Sequence, residues 1–328
     1  MKTEIIKILR NSDTYVSGQQ LCNNLGVSRT AIWKVMNQLK EEGYEIEAVS
    51  NKGYRLIHSS DVISESEILS RMQTNYIGKK VRFYDEVDST NLVAKKIAEE
   101  EESDGLLVVS ESQTKGKGRR GREWSSDKGC DIFMSLILKP KINPMNASML
   151  TILAALAVSK SIAKIVEKDT YIKWPNDIIL NNKKVCGVLT EMSTEIDYIN
   201  HVVIGIGINV NRTSFPNELA SMATSLYVET EQKVQRAELI ASVVKEFEEM
   251  YLVFLEIQTL QPFMKEYNDT LINAKRQVKI IEYGKEYEAI AIGINEKGEL
   301  MIHDIDHPDH VRTVLAGEVS VRGIYNYV

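Results

Sequence analysis

Apolar residues recur at helical spacing near the start of the chain and at strand spacing towards its end. Ile5, Ile6, Ile8 and Leu9 predict a short helix over 3–11, and Ser17 is placed to cap a second helix running to about Leu25. After a Gly26-Val27 turn, Ser28 caps a third helix whose apolar stripe is Ile32, Val35, Met36 and Leu39. Its opposite face carries Arg29, Thr30, Trp33, Lys34 and Asn37, the polar, basic surface that a recognition helix offers to a major groove. Tyr44–Val49 and Gly53–Ile57 then predict a β-hairpin, with Lys52 and Arg55 near the phosphates. Three helices and a wing make a winged helix-turn-helix, a fold that also serves structural and protein-binding roles.

A polar stretch, 58–61, predicts a linker, so the first domain is 1–60. Ser64-Glu65-Ser66-Glu67 opens the next helix as a capping box, with Ile63 and Ile68 as its staple. Ser89-Thr90-Asn91 precedes another helix and sets two hydroxyls and an amide at its positive end. Leu106–Ser110 and Asp131–Leu138 predict buried strands, and Met145–Val166 an apolar-rich helix backing the sheet. Further on, Ile178–Leu180 and Val185–Gly187 flank Asn181-Asn182, a pair suited to a tight hairpin. His201–Val210 reads as a strand, because its Gly205-Ile206-Gly207 lacks the third glycine and the helix start of a dinucleotide fingerprint. Helices are expected along 237–254 and over Pro262–Asn273, ending a domain of 61–275. Short strands fill 276–328, a small β-domain.

Composition adds few constraints. At 328 residues, 43% hydrophobic and 26% charged, the chain has length for two or three domains. No membrane span or signal peptide is read from it, so the expected location is the cytoplasm. Cys22, Cys130 and Cys186 have no paired spacing and read as buried thiols. Net charge is −6, yet residues 1–57 hold eight Lys and Arg against six Asp and Glu, a slightly basic module before an acidic body. The run His303-Asp304-Ile305-Asp306-His307-Pro308-Asp309-His310 reads as a polar hairpin loop rather than a metal site.

The candidate chemistry sits in two stretches. In Gln113-Thr114-Lys115-Gly116-Lys117-Gly118-Arg119-Arg120-Gly121-Arg122, five cations and three glycines occupy residues 115–122 with no acid among them. Backbone amides and guanidinium groups of such a segment can close around phosphates, although a nonspecific nucleic-acid patch has the same composition. It is no P-loop, since Gly116-Lys117 is followed by glycine. Downstream, Lys173-Trp174-Pro175-Asn176-Asp177 leads into the hairpin that carries Lys184, so a cation, an amide and a carboxylate converge.

Gln113 through Trp124, with Lys173–Asp177 and Lys184-Val185-Cys186-Gly187, resembles the biotin protein ligases. The winged helix resembles their bifunctional members, which also repress biotin operons. The resemblance implies a multidomain α+β chain: winged helix-turn-helix, central α/β ligase domain with an SH2-like mixed sheet, and C-terminal SH3-like β-barrel. It implies biotin activation by Mg²⁺ and ATP to biotinyl-5′-AMP, followed by transfer to a lysine of the biotin carboxyl carrier protein of acetyl-CoA carboxylase. By position in the motifs, Lys184 is the main electrostatic catalyst, Arg119 binds phosphate and retains the adenylate, and Asp177 orients or deprotonates the incoming lysine. Ser89, Thr90, Asn91, Gln113 and the 116–119 backbone (Gly116, Lys117, Gly118, Arg119) bind biotin. Arg122, Trp124, Asn176, Asn209 and Arg322 serve ATP or the adenylate. Lys117 stands where the family often has Arg, which weakens any bidentate phosphate contact. Ser28, Arg29, Thr30, Trp33, Lys34, Asn37, Lys52 and Arg55 face operator DNA, with the adenylate as corepressor of a homodimer. A non-catalytic biotin sensor and a lipoate or octanoate acyltransferase are the alternatives.

Overall fold

The computed structural model describes residues 1–328 apart from 60, 122, 123, 125, 283, 284, 316–319 and 324–328, and describes residues 120, 282, 320 and 322 by their backbone alone. Residues 1–73 with 235–242 group as one compact unit, and 74–234 with 243–328 as a second.

In the first unit, helices α1 (Lys2–Arg10), α2 (Gly18–Leu25) and α3 (Arg29–Glu41) pack around Ile5, Leu9, Leu21, Ile32, Met36 and Leu39. The hydroxyls of Ser17 and Ser28 accept from the amides of Gln20 and Ala31, so both caps form as the sequence predicts. Gly26 turns between α2 and α3 with φ 65°, a conformation glycine adopts without penalty. The wing, β1 (Tyr44–Val49) with β2 (Gly53–Ser59), is longer than expected. His58 and Ser59 belong to it rather than to a linker, because Glu45 and Tyr44 give them strand partners.

Ser64 caps α4 (Glu65–Arg71) through the Glu67 amide at 3.1 Å, but the Glu67 carboxylate does not complete the capping box. It turns inward, where it is 1% exposed, and accepts from Arg10 at 2.6 Å, Arg71 at 2.7 Å and the Tyr44 hydroxyl at 2.7 Å. Ion pairing outweighs the helix-end contact because a buried carboxylate is stable only with charged partners. Arg236, also buried, is held by the Asp61 carboxylate at 2.6 Å.

The second unit is built on a seven-stranded mixed sheet, ordered β3 (Val81–Tyr84), β4 (Leu107–Ser110), β5 (Ile132–Leu138), β9 (Ile199–Ile208), β8 (Lys183–Thr194), β7 (Asp177–Leu180) and β6 (Tyr171–Lys173). Only β3 and β4 run parallel. On one face α5 (Thr90–Glu100) packs Ala94 and Ala98 against Val108, Ile137 and Val203. On the other, Ala154 of α6 (Met149–Val166) and Val243, Val244 and Phe247 of α9 (Arg236–Ile257) meet Met134, Leu136, Ile204 and Ile206 around a small apolar cavity. The segment Pro144–Val166 is long and apolar enough to cross a membrane, contrary to the sequence reading, but two thirds of its most apolar window is buried inside the protein. Helices α7 (Asn217–Ala220) and α8 (Leu226–Thr230) follow β9. The last predicted helix is shorter, a 3₁₀ turn over Gln261–Phe263 followed by α10 (Met264–Thr270).

C-terminal strands β10 (Gln277–Glu282), β11 (Lys285–Ile294), β12 (Leu300–His303), β13 (Val311–Val314) and β14 (Ser320–Gly323) form an antiparallel sheet ordered β13-β12-β11-β10-β14. The histidine-rich run is the β12–β13 loop, where Arg312 and His310 hold the Asp304 carboxylate at 3.1 and 2.8 Å.

Burial opposes ionisation of Glu67, yet the hydrogen bonds from Arg10 and Tyr44 and the neighbouring cations outweigh it, holding the carboxyl below the ordinary range. A depressed native pKa stabilises above the unfolded value and is lost as pH falls through the native one. Removing the carboxylate as Glu67→Ala strands two cations, and we expect a loss of about 3–5 kcal/mol. Hydrogen exchange of the α1 and β1 amides in the full chain measures it; wild-type protection should fall similarly on acidification below about pH 4.5.

Candidate active site: a glycine floor under Trp124 and Lys184

Side chains alternate across a strand, and the register places Ser135 of β5 beside Gly205 of β9, and Gly207 of β9 beside Gly187 of β8, all on the face that α5 covers. Three glycines in two adjacent strands leave a floor of bare backbone. Ideal Cβ atoms there would lie 2.2 Å from Asn91 Oδ1 at Gly205, 2.9 Å from the Trp124 indole at Gly207, and 3.0 Å from both Trp124 and Lys184 Nζ at Gly187. Only glycine lets these side chains settle so close to the sheet.

Lys184 reaches the floor through a β-bulge. Ile178 opposes Cys186 and Ile179 opposes Lys184, which leaves Val185 as the extra residue and turns Lys184 to the same face as Gly187. Its ammonium lies 2.6 Å from Asp177 Oδ1 and 5.2 Å from the centre of the Trp124 ring. Bonds from Lys184 N to Met222 O (2.8 Å) and from Thr224 N to Lys184 O (2.9 Å) fix the backbone beneath it. The Asn181-Asn182 hairpin forms as predicted, with φ of 51° and 64°, whereas Asp177 is the first residue of β7 rather than a loop residue.

The basic loop arches over this floor. Trp124 N donates to Gly116 O at 2.9 Å and Gln113 N to Ser126 Oγ at 2.9 Å, closing its stem. Lys115 pairs with Asp88 at 3.5 Å in an exposed contact, and Lys117 is exposed. Arg119 donates to Asn176 Oδ1 at 3.0 Å, while Asn176 Nδ2 donates to Val188 O at 2.7 Å. The Trp124 Nε1–H is buried and meets no acceptor among the described residues. Arg122 lies outside the described residues, as does the Arg322 side chain.

At the other end of the floor Ser89, Thr90 and Asn91 open α5, all at most 5% exposed, and the Ser89 hydroxyl makes no capping bond. Thr90 N donates to Gln113 Oε1 at 2.8 Å. Ser135 Oγ lies 2.8 Å from Thr90 Oγ1 and 2.6 Å from Asn91 Oδ1. Asn91 Nδ2 donates to Glu191 at 2.7 Å, and Lys95 reaches the other oxygen of Glu191 at 2.5 Å. Burial works against the Glu191 charge, but Lys95 and Asn91 overcome it and hold the carboxyl below its ordinary range. The structure thus gathers Ser89, Thr90, Asn91, Gln113, Gly116, Arg119, Trp124, Asn176, Asp177 and Lys184 around one groove.

Asn209 is buried and commits its Nδ2 to Thr224 O at 2.9 Å. Beside it, Arg212 binds Asp131 at 2.7 and 3.0 Å, both buried, and Asp127 at 3.4 Å, so it ties the stem of the loop to the end of β9. Burial pushes the Asp131 carboxyl up to about 6 against the pull of Arg212. Burial likewise raises the Cys186 thiol, which takes no part in the groove. Sequence reasoning missed Ser135, Lys95, Glu191, Asp131 and Arg212. A lone serine inside the apolar run Ile132–Leu138 was the one signal available.

In the winged helix, Ser28, Arg29, Thr30, Trp33 and Lys34 are exposed along one side of α3, and Asn37 is half-buried. Trp33 is 57% exposed, an unusual cost for an indole. Lys52 is exposed at the wing, and the part-exposed Arg55 pairs with Glu47 at 2.9 Å and stacks 4.9 Å from the Tyr15 ring centre.

Comparison with known proteins gives the class first: residues 83–209 match the biotin/lipoate A/B protein ligase family, and residues 2–55 match an HTH domain. The chain is 38% identical over 305 residues to a bifunctional ligase/repressor BirA of Bacillus spizizenii, covering 92% of this chain and 94% of that protein. It is 28% identical to the Escherichia coli protein of the same name, over 97% and 96% of the two. Among solved structures, the Aquifex aeolicus biotin protein ligase in complex with biotin and ATP aligns with a TM-score of 0.65 at 32% identity, covering 75% of this chain and 99% of that one. The chain belongs to the bifunctional ligase/repressor family of biotin protein ligases.

Because a Cβ at Gly207 would stand 2.9 Å from the indole, Gly207→Ala should lift Trp124 off the floor. Trp124 emission should shift to the red in the variant, and an unshifted spectrum would place the ring elsewhere.

Proposed function

We propose that this chain joins biotin to ATP as biotinyl-5′-AMP, transfers biotin to a lysine of a biotin carboxyl carrier protein, and with the adenylate bound represses transcription at an operator. The observation that carries the proposal is Lys184, a half-buried ammonium fixed by a bulge and held above the glycine floor between Asp177 and Trp124. A carboxylate attacking an α-phosphate suffers like-charge repulsion, and a preorganised cation at the meeting point stabilises the developing charge. The α5 end of the groove, rich in hydroxyls and amides, suits the uncharged ureido head, and the bare floor suits the apolar tail.

Mg²⁺ bound to ATP would add positive charge on the phosphoryl oxygens. Asp177, the carboxylate beside Lys184, would face the ion through water, which leaves its oxygens free for the carrier lysine. Arg119, with Arg122 on the same loop, supplies further positive charge to the phosphates. Trp124 with its unpartnered indole N–H covers the nucleotide side and excludes water from the anhydride. Once Lys184 turns to phosphate, Asp177 is released from it and can take a proton from the incoming carrier lysine. The 1–60, 61–275 and 276–328 boundaries are proposed as the functional domains. The exposed face of α3, Lys52 and the half-buried Arg55 form the DNA surface, presented twice by an adenylate-linked homodimer.

Lys184→Gln should lower adenylate formation by about 10²-fold or more. Mass spectrometry of desalted protein after incubation with biotin and Mg-ATP reads this directly, and sedimentation should show dimerisation on adenylate formation in the wild type alone. Retention of biotin without adenylate by the wild type would instead make the protein a sensor. For Asp177→Asn, transfer from preformed adenylate should slow more than adenylate formation; equal slowing removes the proposed proton-taking role.

A further inference from the structure

The hydroxyl protons at the α5 end of the groove are fewer than the oxygen–oxygen pairs they join. Two buried oxygen–oxygen pairs and one part-buried pair lie within hydrogen-bond distance: Ser135–Asn91 at 2.6 Å, Ser135–Thr90 at 2.8 Å and, part-buried, Thr90–Gln113 at 3.1 Å. Asn91 Oδ1 and Gln113 Oε1 are amide oxygens and only accept, so the Ser135 and Thr90 hydroxyls own the two protons available to three pairs. The Ser135 proton goes to Asn91, and the Thr90 proton goes either to Ser135 or to Gln113. Gln113 Oε1 already accepts from the Thr90 amide at 2.8 Å, so the Thr90 proton settles on Ser135 and Thr90 Oγ1 keeps its lone pairs without a donor, in a place where Ser135 is fully buried and Thr90 and Asn91 are at most 5% exposed.

Turning the Asn91 amide over would reverse this relay. Its Nδ2 would donate to Ser135, freeing the Ser135 proton for Thr90 and the Thr90 proton for Gln113. What prevents this is Glu191, an acceptor-only carboxylate that takes the Asn91 Nδ2 at 2.7 Å. After a flip, Asn91 Oδ1 would face both that carboxylate and Leu189 O, which now sits 3.3 Å from Nδ2. Lys95, one turn along α5, binds Glu191 at 2.5 Å and keeps it ionised, with Lys117 of the basic loop as the other cation acting on it.

We propose that Lys95 and Glu191 are positioning residues that fix the direction of this relay and leave Thr90 Oγ1 as an acceptor, so that the pocket selects a ligand presenting an N–H, the ureido N–H of biotin. A buried acceptor without a donor discriminates strongly for the ligand that completes it and against one that cannot. The inference rests on the biotin reading above and adds the origin of the pocket's polarity. Neither residue touches the ligand itself.

The test compares steady-state constants of the full-length enzyme and its variants Glu191→Gln, Glu191→Asp and Lys95→Met, using biotin and a ureido-N-methylated biotin. In Glu191→Gln the side-chain amide can donate to a flipped Asn91. Biotin KM should rise about tenfold, the preference over the methylated analogue should shrink, and ATP KM should stay unchanged. Glu191→Asp keeps the carboxylate and should recover much of the loss. Lys95→Met, at a partly exposed site less prone to misfolding, should give a biotin KM that rises as pH falls through the Glu191 titration, a dependence absent from the wild type. An unchanged biotin KM in Glu191→Gln, a parallel rise in ATP KM, or no recovery in Glu191→Asp overturns the inference alone. Failure of the wild type to use biotin overturns both it and the function on which it rests.

Discussion

The close approach of Trp124, Lys184 and Asn91 to the sheet depends on the absence of side chains at Gly187, Gly205 and Gly207. Each would otherwise collide with a group that defines the groove, and the groove would fill from below. Flat backbone in the middle of a sheet loses the packing that β-branched residues supply there. The surrounding strands offset that loss: β5 is buried along its whole length, and Ile204, Ile206 and Ile208 pack the opposite face of β9. The rigid half of the sheet therefore carries the cost of its open half.

Electrostatics then divides the groove into two ends. Towards Lys184 and Arg119 the exposed ionisable groups of the site are mostly cationic, tempered by Asp177, which suits an anion that arrives and leaves. Towards α5 Lys95 and Glu191 pair with one another, and the pocket itself presents neutral hydroxyls and amides. A ligand with a neutral polar head and a carboxylate at its far end matches both ends in one orientation. Arg212 and Asp131 lock the chain where β9 leaves the sheet, next to the cationic end, and keep the loop stem in register with it.

Buried charge does a different task in the first unit. Glu67 gathers Arg10, Arg71 and Tyr44, and so joins α1, β1 and α4 through one carboxylate. This is why α4 groups with the winged helix by its contacts although its sequence starts what reads as the next domain. At the wing the part-exposed Arg55 pairs with Glu47 and stacks on Tyr15, and with Lys52 and the exposed side of α3 it makes up the accessible basic surface.

Much of this was legible in the sequence, where local chemistry acts over a few residues. Helix caps at Ser17 and Ser28, the hairpin at Asn181-Asn182, the apolar stripe of α3 and the two basic and Lys-Trp-Pro-Asn-Asp motifs are short-range signals, and their physics does not need the rest of the chain. The sequence could not show that Lys184 and Gly187 share a face, since strict alternation from Gly187 would put Lys184 on the other; the bulge at Val185 decides it. Nor could it show that Glu67 abandons its capping box, or that Lys95, Asn91, Ser135 and Glu191 meet. Those residues come from α5, β5 and β8, up to 100 positions apart, and only strand register and the packing of α5 on the sheet bring their hydrogen-bonding groups within reach.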